Sequence, residues 1–157
     1  MDIVVGIGEY AISNNGEDII RTYALGSCIA LTVYSPRKRV LGMVHIALPD
    51  SSINPEVGKE KPGHFADIAI PFLLNKISSE YGCEKDELIF NIYGGAKSMQ
   101  PNDVFRIGKR NIDATVKFFI SNNITFSNLE IGGFISRTIE ADVISGSVKM
   151  STYPMKI

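Results

Sequence analysis

Two strand-like runs, 27–34 and 40–48, flank Ser35-Pro36-Arg37-Lys38-Arg39 and read together as a β-hairpin. No other feature constrains side-chain neighbours so tightly, because the register of a hairpin decides which residues share a face. An even turn centred between Pro36 and Arg37 makes paired residue numbers sum to 73 and sets Cys28 directly opposite His45. Directly opposed side chains hold their Cβ atoms ~4.5–5.5 Å apart, within reach of a thiol–imidazole hydrogen bond. One more turn residue raises the sum to 74 and turns His45 toward Ile29, on the other face. The sequence leaves the turn open.

In the first register the imidazole takes the thiol proton and later returns it to a leaving amine. Gly26-Ser27, just ahead of Cys28, lets the backbone turn tightly and frees N–H groups for a developing oxyanion. A third group is needed to orient the imidazole. Candidates are nearby carbonyls and hydroxyls, among them Thr22 on the preceding strand and Thr32 on the cysteine's own face. The same two residues also read as structural: Cys28 as a small buried hydrophobe among Ile29, Ala30 and Leu31, His45 as a core residue between Val44 and Ile46.

Elsewhere, 3–7 and 19–23 read as strands. Segment 49–63, with three prolines and two glycines, reads as a long loop of the kind often tied to function. Phe65, Ala69, Phe72, Leu73, Ile77 and Tyr81 recur at helical spacing up to Gly82, with Pro71 expected to kink that helix or shift its first turn. A strand over 88–93 runs into Gly94-Gly95, and a second helix spans 107–122 with Ile112, Val116 and Phe119/Ile120 inward. Strand-like 124–131 precedes Gly132-Gly133, and a hairpin of 138–144 and 147–152 closes around Ser145-Gly146. Many strands and two main helices without a βαβ rhythm predict an α+β fold.

Sixteen basic against seventeen acidic residues leave a net charge of −1, which provides no general field for a nucleic acid. No apolar run approaches the ~18–20 residues of a membrane span, and the first residues lack a signal-peptide pattern. The chain therefore reads as one cytoplasmic domain over 1–157. Two cysteines and two histidines at unrelated spacings predict neither a disulfide framework nor a metal site, and no cofactor is expected. Cys83 reads as a structural thiol, and His64 as a surface residue at the start of the first helix. Gly94-Gly95-Ala96 lacks a P-loop lysine pattern and reads as tight packing near the site. Arg106, Lys109 and Arg110 read as solvated helix-face charges.

Taken in order, Gly6-Ile7-Gly8-Glu9-Tyr10, Thr22-Tyr23-Ala24-Leu25-Gly26-Ser27-Cys28, His45-Ile46-Ala47-Leu48-Pro49, His64-Phe65-Ala66-Asp67-Ile68-Ala69-Ile70-Pro71, Gly94-Gly95-Ala96 and Ile107-Gly108-Lys109-Arg110-Asn111 resemble the CheD family of chemoreceptor glutamine deamidases. The resemblance runs from Gly6 to about Lys149. It implies packed mixed β-sheets with two main flanking helices, a fold shared with deamidating toxins, and a cysteine hydrolase with a Cys-His-Thr triad. Carried over by motif, Cys28 is the nucleophile, His45 the base and acid, and Thr22 the residue that orients His45. The implied substrate is a glutamine on the cytoplasmic helical bundle of a methyl-accepting chemotaxis receptor, converted to glutamate with release of ammonia. A CheC-type phosphatase is an implied partner, and a binding regulator of that phosphatase with little deamidase activity is the alternative function. Arg106, Lys109 and Arg110 would in that setting meet acidic receptor surface. Two positions depart from the family pattern. Phe134-Ile135-Ser136-Arg137 follows Gly132-Gly133 where Asn and basic residues are usual, and Ala24 stands where many members have Gly.

Overall fold

The computed structural model describes residues 1–98 and 105–155. In chain order the elements are β1 (Asp2–Val4), β2 (Tyr10–Ser13), β3 (Ile19–Leu25), β4 (Ile29–Ser35), β5 (Val40–Ile46), α1 (Pro55–Glu60), α2 (Ala66–Tyr81), β6 (Ile89–Gly94), α3 (Ile107–Ser121), β7 (Asn128–Ile131), β8 (Ile135–Asp142) and β9 (Val148–Pro154). They form two mixed sheets, one ordered β1-β3-β8-β9 and the other β2-β5-β4-β6-β7. Pairing is antiparallel except for β1 with β3 and β6 with β7. The expected α+β class, with packed mixed sheets and two main helices, is what the chain adopts.

The layers follow from side-chain parity. Strands β4 and β5 are buried at every position, as a strand covered on both faces requires. Ile29, Leu31, Val33, Val44 and Ile46 pack into one core with Ala69, Ile70, Leu73 and Ile77 of α2 and Phe119 of α3. The alternate residues Ala30, Tyr34, Leu41 and Met43 face the other sheet and pack with Ile20, Leu25, Ile139 and Ala141, with Cys28 packed against that cluster. Strand β8, with its outer face in solvent, alternates half-buried and buried residues from Ser136 onward. Helices thus cover one face of the five-stranded sheet, and the four-stranded sheet covers the other.

The central hairpin forms, with a different turn. Pairing runs from Ser35↔Val40 through Ala30↔His45 to Ile29↔Ile46, so Pro36–Arg39 form a four-residue loop and Arg39 turns with φ 52°. Paired numbers sum to 75 rather than 73 or 74. Ala30, not Cys28 or Ile29, stands opposite His45. A slip of two preserves the face, so Cys28 and His45 still point to the same side of the sheet.

Helix α2 starts at Ala66 and continues through Pro71, losing there the bond that the missing N–H would have made to the Asp67 carbonyl. It ends at Gly82, left-handed at φ 67°, whose N–H caps the carbonyls of Ile77 and Ser78. The stretch 49–63 is not pure loop: it carries a 3-10 turn at Ser51–Ile53 and α1, capped by Asn54 Oδ1 on the Val57 N–H and opened by Pro55. The first strand is shorter than expected because the chain leaves the four-stranded sheet after Val4 and joins the other as β2 at Tyr10.

Candidate active site

The crossing segment between β1 and β2 builds one wall of the site. Gly8 N–H donates to the His45 carbonyl (2.8 Å) and the His45 N–H to the Glu9 carbonyl (3.1 Å), which fixes the histidine backbone on both sides. Val5 N–H stays attached to the Arg21 carbonyl (2.8 Å), so the Val5 carbonyl is presented to Thr22, next along β3. Thr22 Oγ1 then touches two partners at 2.7 Å each, the Val5 carbonyl oxygen and His45 Nδ1.

Those two contacts set the proton on the imidazole. A hydroxyl has one proton, and a carbonyl oxygen can only accept, so Thr22 donates to Val5. The contact with His45 is therefore Nδ1–H donating to Thr22 Oγ1. Nε2 is left with its lone pair, and it is buried with no hydrogen-bond partner. Thr22 is fully buried and His45 is 3% exposed, so water does not compete for either contact. Thr32, the other candidate on the cysteine's own face, lies buried with its hydroxyl unpaired and bonds no part of the imidazole.

Burial dominates the acid–base character of the pair. It pushes the His45 pKa down to about 4, against the upward pull of the Val5 carbonyl and the Glu9 carboxylate. It also pushes the half-buried Cys28 thiol up. At neutral pH the site therefore holds a neutral thiol and a neutral imidazole, not a preformed ion pair. The expected thiol–imidazole hydrogen bond is absent, since Nε2 is unpartnered. Cys28 lies diagonally from His45, two residues before its cross-strand partner Ala30; diagonal neighbours in a regular ladder stand ~7–8 Å apart. Resting enzymes often show such loose geometry before substrate binds.

The segment carrying Cys28 is held through its carbonyls. Ala96 N–H donates to Gly26 O and Gly95 N–H to Cys28 O, both at 2.8 Å. Asn111 Nδ2 donates to Ser27 O at 2.9 Å. Among the described residues no acceptor engages the N–H groups of Ser27 and Cys28. Gly94-Gly95-Ala96 packs tightly behind the site, as expected: a side chain at Gly94 (φ 108°) would collide with the Cys28 carbonyl, and one at Gly108 of α3 with the Ala96 carbonyl.

Ala24 sits in a bulge of β3 between Thr22 and Leu25 with φ 54°, which accounts physically for a glycine preference there. Gly132 and Gly133 both turn with positive φ, 78° and 70°. Gly132 N–H reaches Gly94 O (2.9 Å), and Gly133 O accepts from Lys97 N–H (2.8 Å). Phe134 beyond them is half exposed, with Lys97 Nζ 5.9 Å from its ring centre. Cys83 is buried away from this cluster beside Tyr81, and His64 immediately precedes Phe65, the N-cap of α2. Among the described residues no group of His, Cys, Asp or Glu is placed to hold a metal ion, and no helix is long and apolar enough to cross a membrane.

The fold is thus a two-layer β domain faced with helices that sets Cys28 and a threonine-bound His45 on one sheet face at one end of its inter-sheet core. Comparison with known proteins gives the family. The family described as CheD chemotactic sensory transduction matches residues 47–152. A protein of Syntrophus aciditrophicus named "Probable chemoreceptor glutamine deamidase CheD 1" is 40% identical over 157 residues, covering 99% of this chain and 98% of that protein. One from Syntrophotalea carbinolica, "Probable chemoreceptor glutamine deamidase CheD", is 40% identical over 152 residues, 96% of this chain and 93% of its own. The "Chemoreceptor glutamine deamidase CheD" of Thermotoga maritima is 36% identical over 149 residues, 94% of this chain and 90% of its own. This chain belongs to the CheD family. Thr22, Cys28 and His45 precede the segment that the family description matches, while the Syntrophus similarity spans nearly the whole chain.

One residue of the site, Asn111, stands in a motif quoted above but received no role from the sequence. Asn111 is fully buried and anchors both sides of the constellation. Its signal was the spacing of Gly108, Asn111, Thr115 and Phe119, an inward helical stripe that includes two polar residues.

Proposed function

We propose that the protein is a protein-glutamine deamidase acting on glutamine side chains of a chemoreceptor's cytoplasmic helical bundle. The observation that carries this reading is the Thr22–His45 contact, because it leaves Nε2 as an unprotonated, unpartnered base on the same sheet face as Cys28. Substrate binding closes the gap. Nε2 takes the Cys28 thiol proton as the sulfur attacks the side-chain carboxamide, and the Ser27 and Cys28 N–H groups meet the developing oxyanion. The imidazolium then gives its proton to the departing nitrogen and ammonia leaves a thioester. Water, deprotonated by Nε2, hydrolyses the thioester to glutamate and restores the thiol.

Family membership and the relatives' names support this substrate class. A free-thiol nucleophile supports a reducing compartment, the cytoplasm, as the place of reaction. A CheC-type phosphatase docking near the same site would compete with receptor, as a regulator bound over Cys28 must. The test is ammonia release and glutamine-to-glutamate conversion on a purified receptor cytoplasmic fragment, followed by peptide mass. Conversion by the wild type and its loss in Cys28→Ala is the expected result. Undiminished conversion by Cys28→Ala, or none by the wild type, overturns the proposal.

A further inference from the structure

The β4–β5 ladder stops at Ile29↔Ile46. Beyond it the two strands no longer pair with each other: Ser27 precedes the nucleophile, while Ala47, two residues after the histidine, turns its N–H to the His64 carbonyl (2.9 Å). One side chain bridges the two segments where their own pairing has ended. Asn111 Nδ2, in the first turns of α3, donates one N–H to Ser27 O at 2.9 Å and the other to Ala47 O at 3.0 Å. Both donors come from one planar nitrogen, so the separation of the two carbonyls is set by a single rigid group. The residue is fully buried, and its backbone carbonyl is tied to the buried Thr115 hydroxyl at 2.8 Å. Helix α3 can come this close because Gly108, one turn earlier, rests directly on Gly95 and Ala96.

We infer that Asn111 is a positioning residue: it sets the distance across which the Cys28 sulfur and His45 Nε2 exchange a proton. This rests on the deamidase reading only for the reaction measured, since the geometry concerns the Cys28–His45 pair itself. Aspartate at the position keeps the shape but, ionised, offers no donor and sets a negative charge against two carbonyl oxygens. Alanine removes the bridge. Misplacement by about 1 Å costs on the order of 100-fold in rate, so the effect falls on kcat and leaves substrate docking alone.

The experiment compares wild type, Asn111→Asp and Asn111→Ala in the full chain, with activity expressed per folded molecule from thermal melts. Two readouts are taken: kcat and KM on a receptor cytoplasmic fragment, and the pH midpoint of Cys28 alkylation by iodoacetamide. The expected result is a kcat loss of about 100-fold with KM within threefold, together with a displaced alkylation midpoint. Unchanged kcat per folded molecule with an unmoved midpoint overturns the inference, as does failure of both variants to fold, which would make Asn111 a structural clamp only. If the wild type converts no glutamine, the deamidase proposal fails on its own, and the alkylation midpoint alone decides the role of Asn111.

Discussion

At the residue scale the account turns on one hydroxyl. Thr22 can accept from His45 because its proton is committed to Val5. Thr22→Val removes the acceptor while keeping the shape, and the imidazole is then free to adopt the other tautomer. Steady-state ammonia release from a receptor fragment should drop by about 100-fold or more in Thr22→Val, as loss of a positioned base does, and stay within about tenfold of wild type in Thr22→Ser. Equal losses in both variants would mean that the methyl group, not the hydroxyl, matters. Cys28 and His45 stand out in the sequence as candidates because few side chains can serve as nucleophile and base, and their shared face survives a difference of two in register. The register itself was not legible. A loop of four residues closing with Arg39 at positive φ is a choice made by the packed sheets rather than by Pro36 or Arg37. The inward position of Asn111 was legible from the helical stripe it shares with Gly108, Thr115 and Phe119, but its role was not, because its partners are backbone carbonyls 84 and 64 positions away.

At the element scale the site is an end effect: two strands diverge, and the glycines behind them let a third strand and a helix close in. Strand β3 carries a local strain in this region. Ala24 holds φ 54°, where an L residue is disfavoured by roughly 1–2 kcal/mol and glycine is not. Ala24→Gly should therefore stabilise the fold by about 1 kcal/mol net of glycine's extra chain entropy, raising the thermal midpoint by about 2–4 °C. A lowered midpoint in a melting curve would show that the alanine methyl packs more usefully than its backbone suggests. Gly94→Ala should act the opposite way. Its new methyl meets the Cys28 carbonyl at φ 108°, and a positive-φ clash of this kind costs on the order of 1–3 kcal/mol, to be read in the same melts. The long, periodic α2 with its glycine stop was readable from the chain. The six-residue α1 and four-residue β2 were not, because each is shorter than the period needed to reveal it.

For the whole molecule, burying His45 between the sheets makes the fold sensitive to acid. The folded pKa is about 4 against an unfolded value of about 6.5. Between those values the unfolded chain binds the proton and the native one does not, so the stabilising term is complete above pH ~6.5 and is lost progressively as pH falls toward 4. His45→Asn has no proton to bind there. Its stability curve should therefore lose about 3 kcal/mol less than wild type over that window in urea unfolding at stepped pH. The depressed carboxyls of Asp18, Asp50 and Glu87 slope the same way in both proteins and cancel in the difference. Parallel curves would mean that His45 is solvated and protonated normally.

The most direct measurement is covalent capture at the proposed nucleophile. A receptor-derived peptide whose target glutamine carries a chloromethyl ketone in place of its carboxamide should alkylate Cys28 and leave the buried Cys83 unmodified. The rate should collapse in His45→Asn, with peptide mass mapping locating the adduct. An unmodified Cys28, or labelling as fast without His45 as with it, would contradict the account.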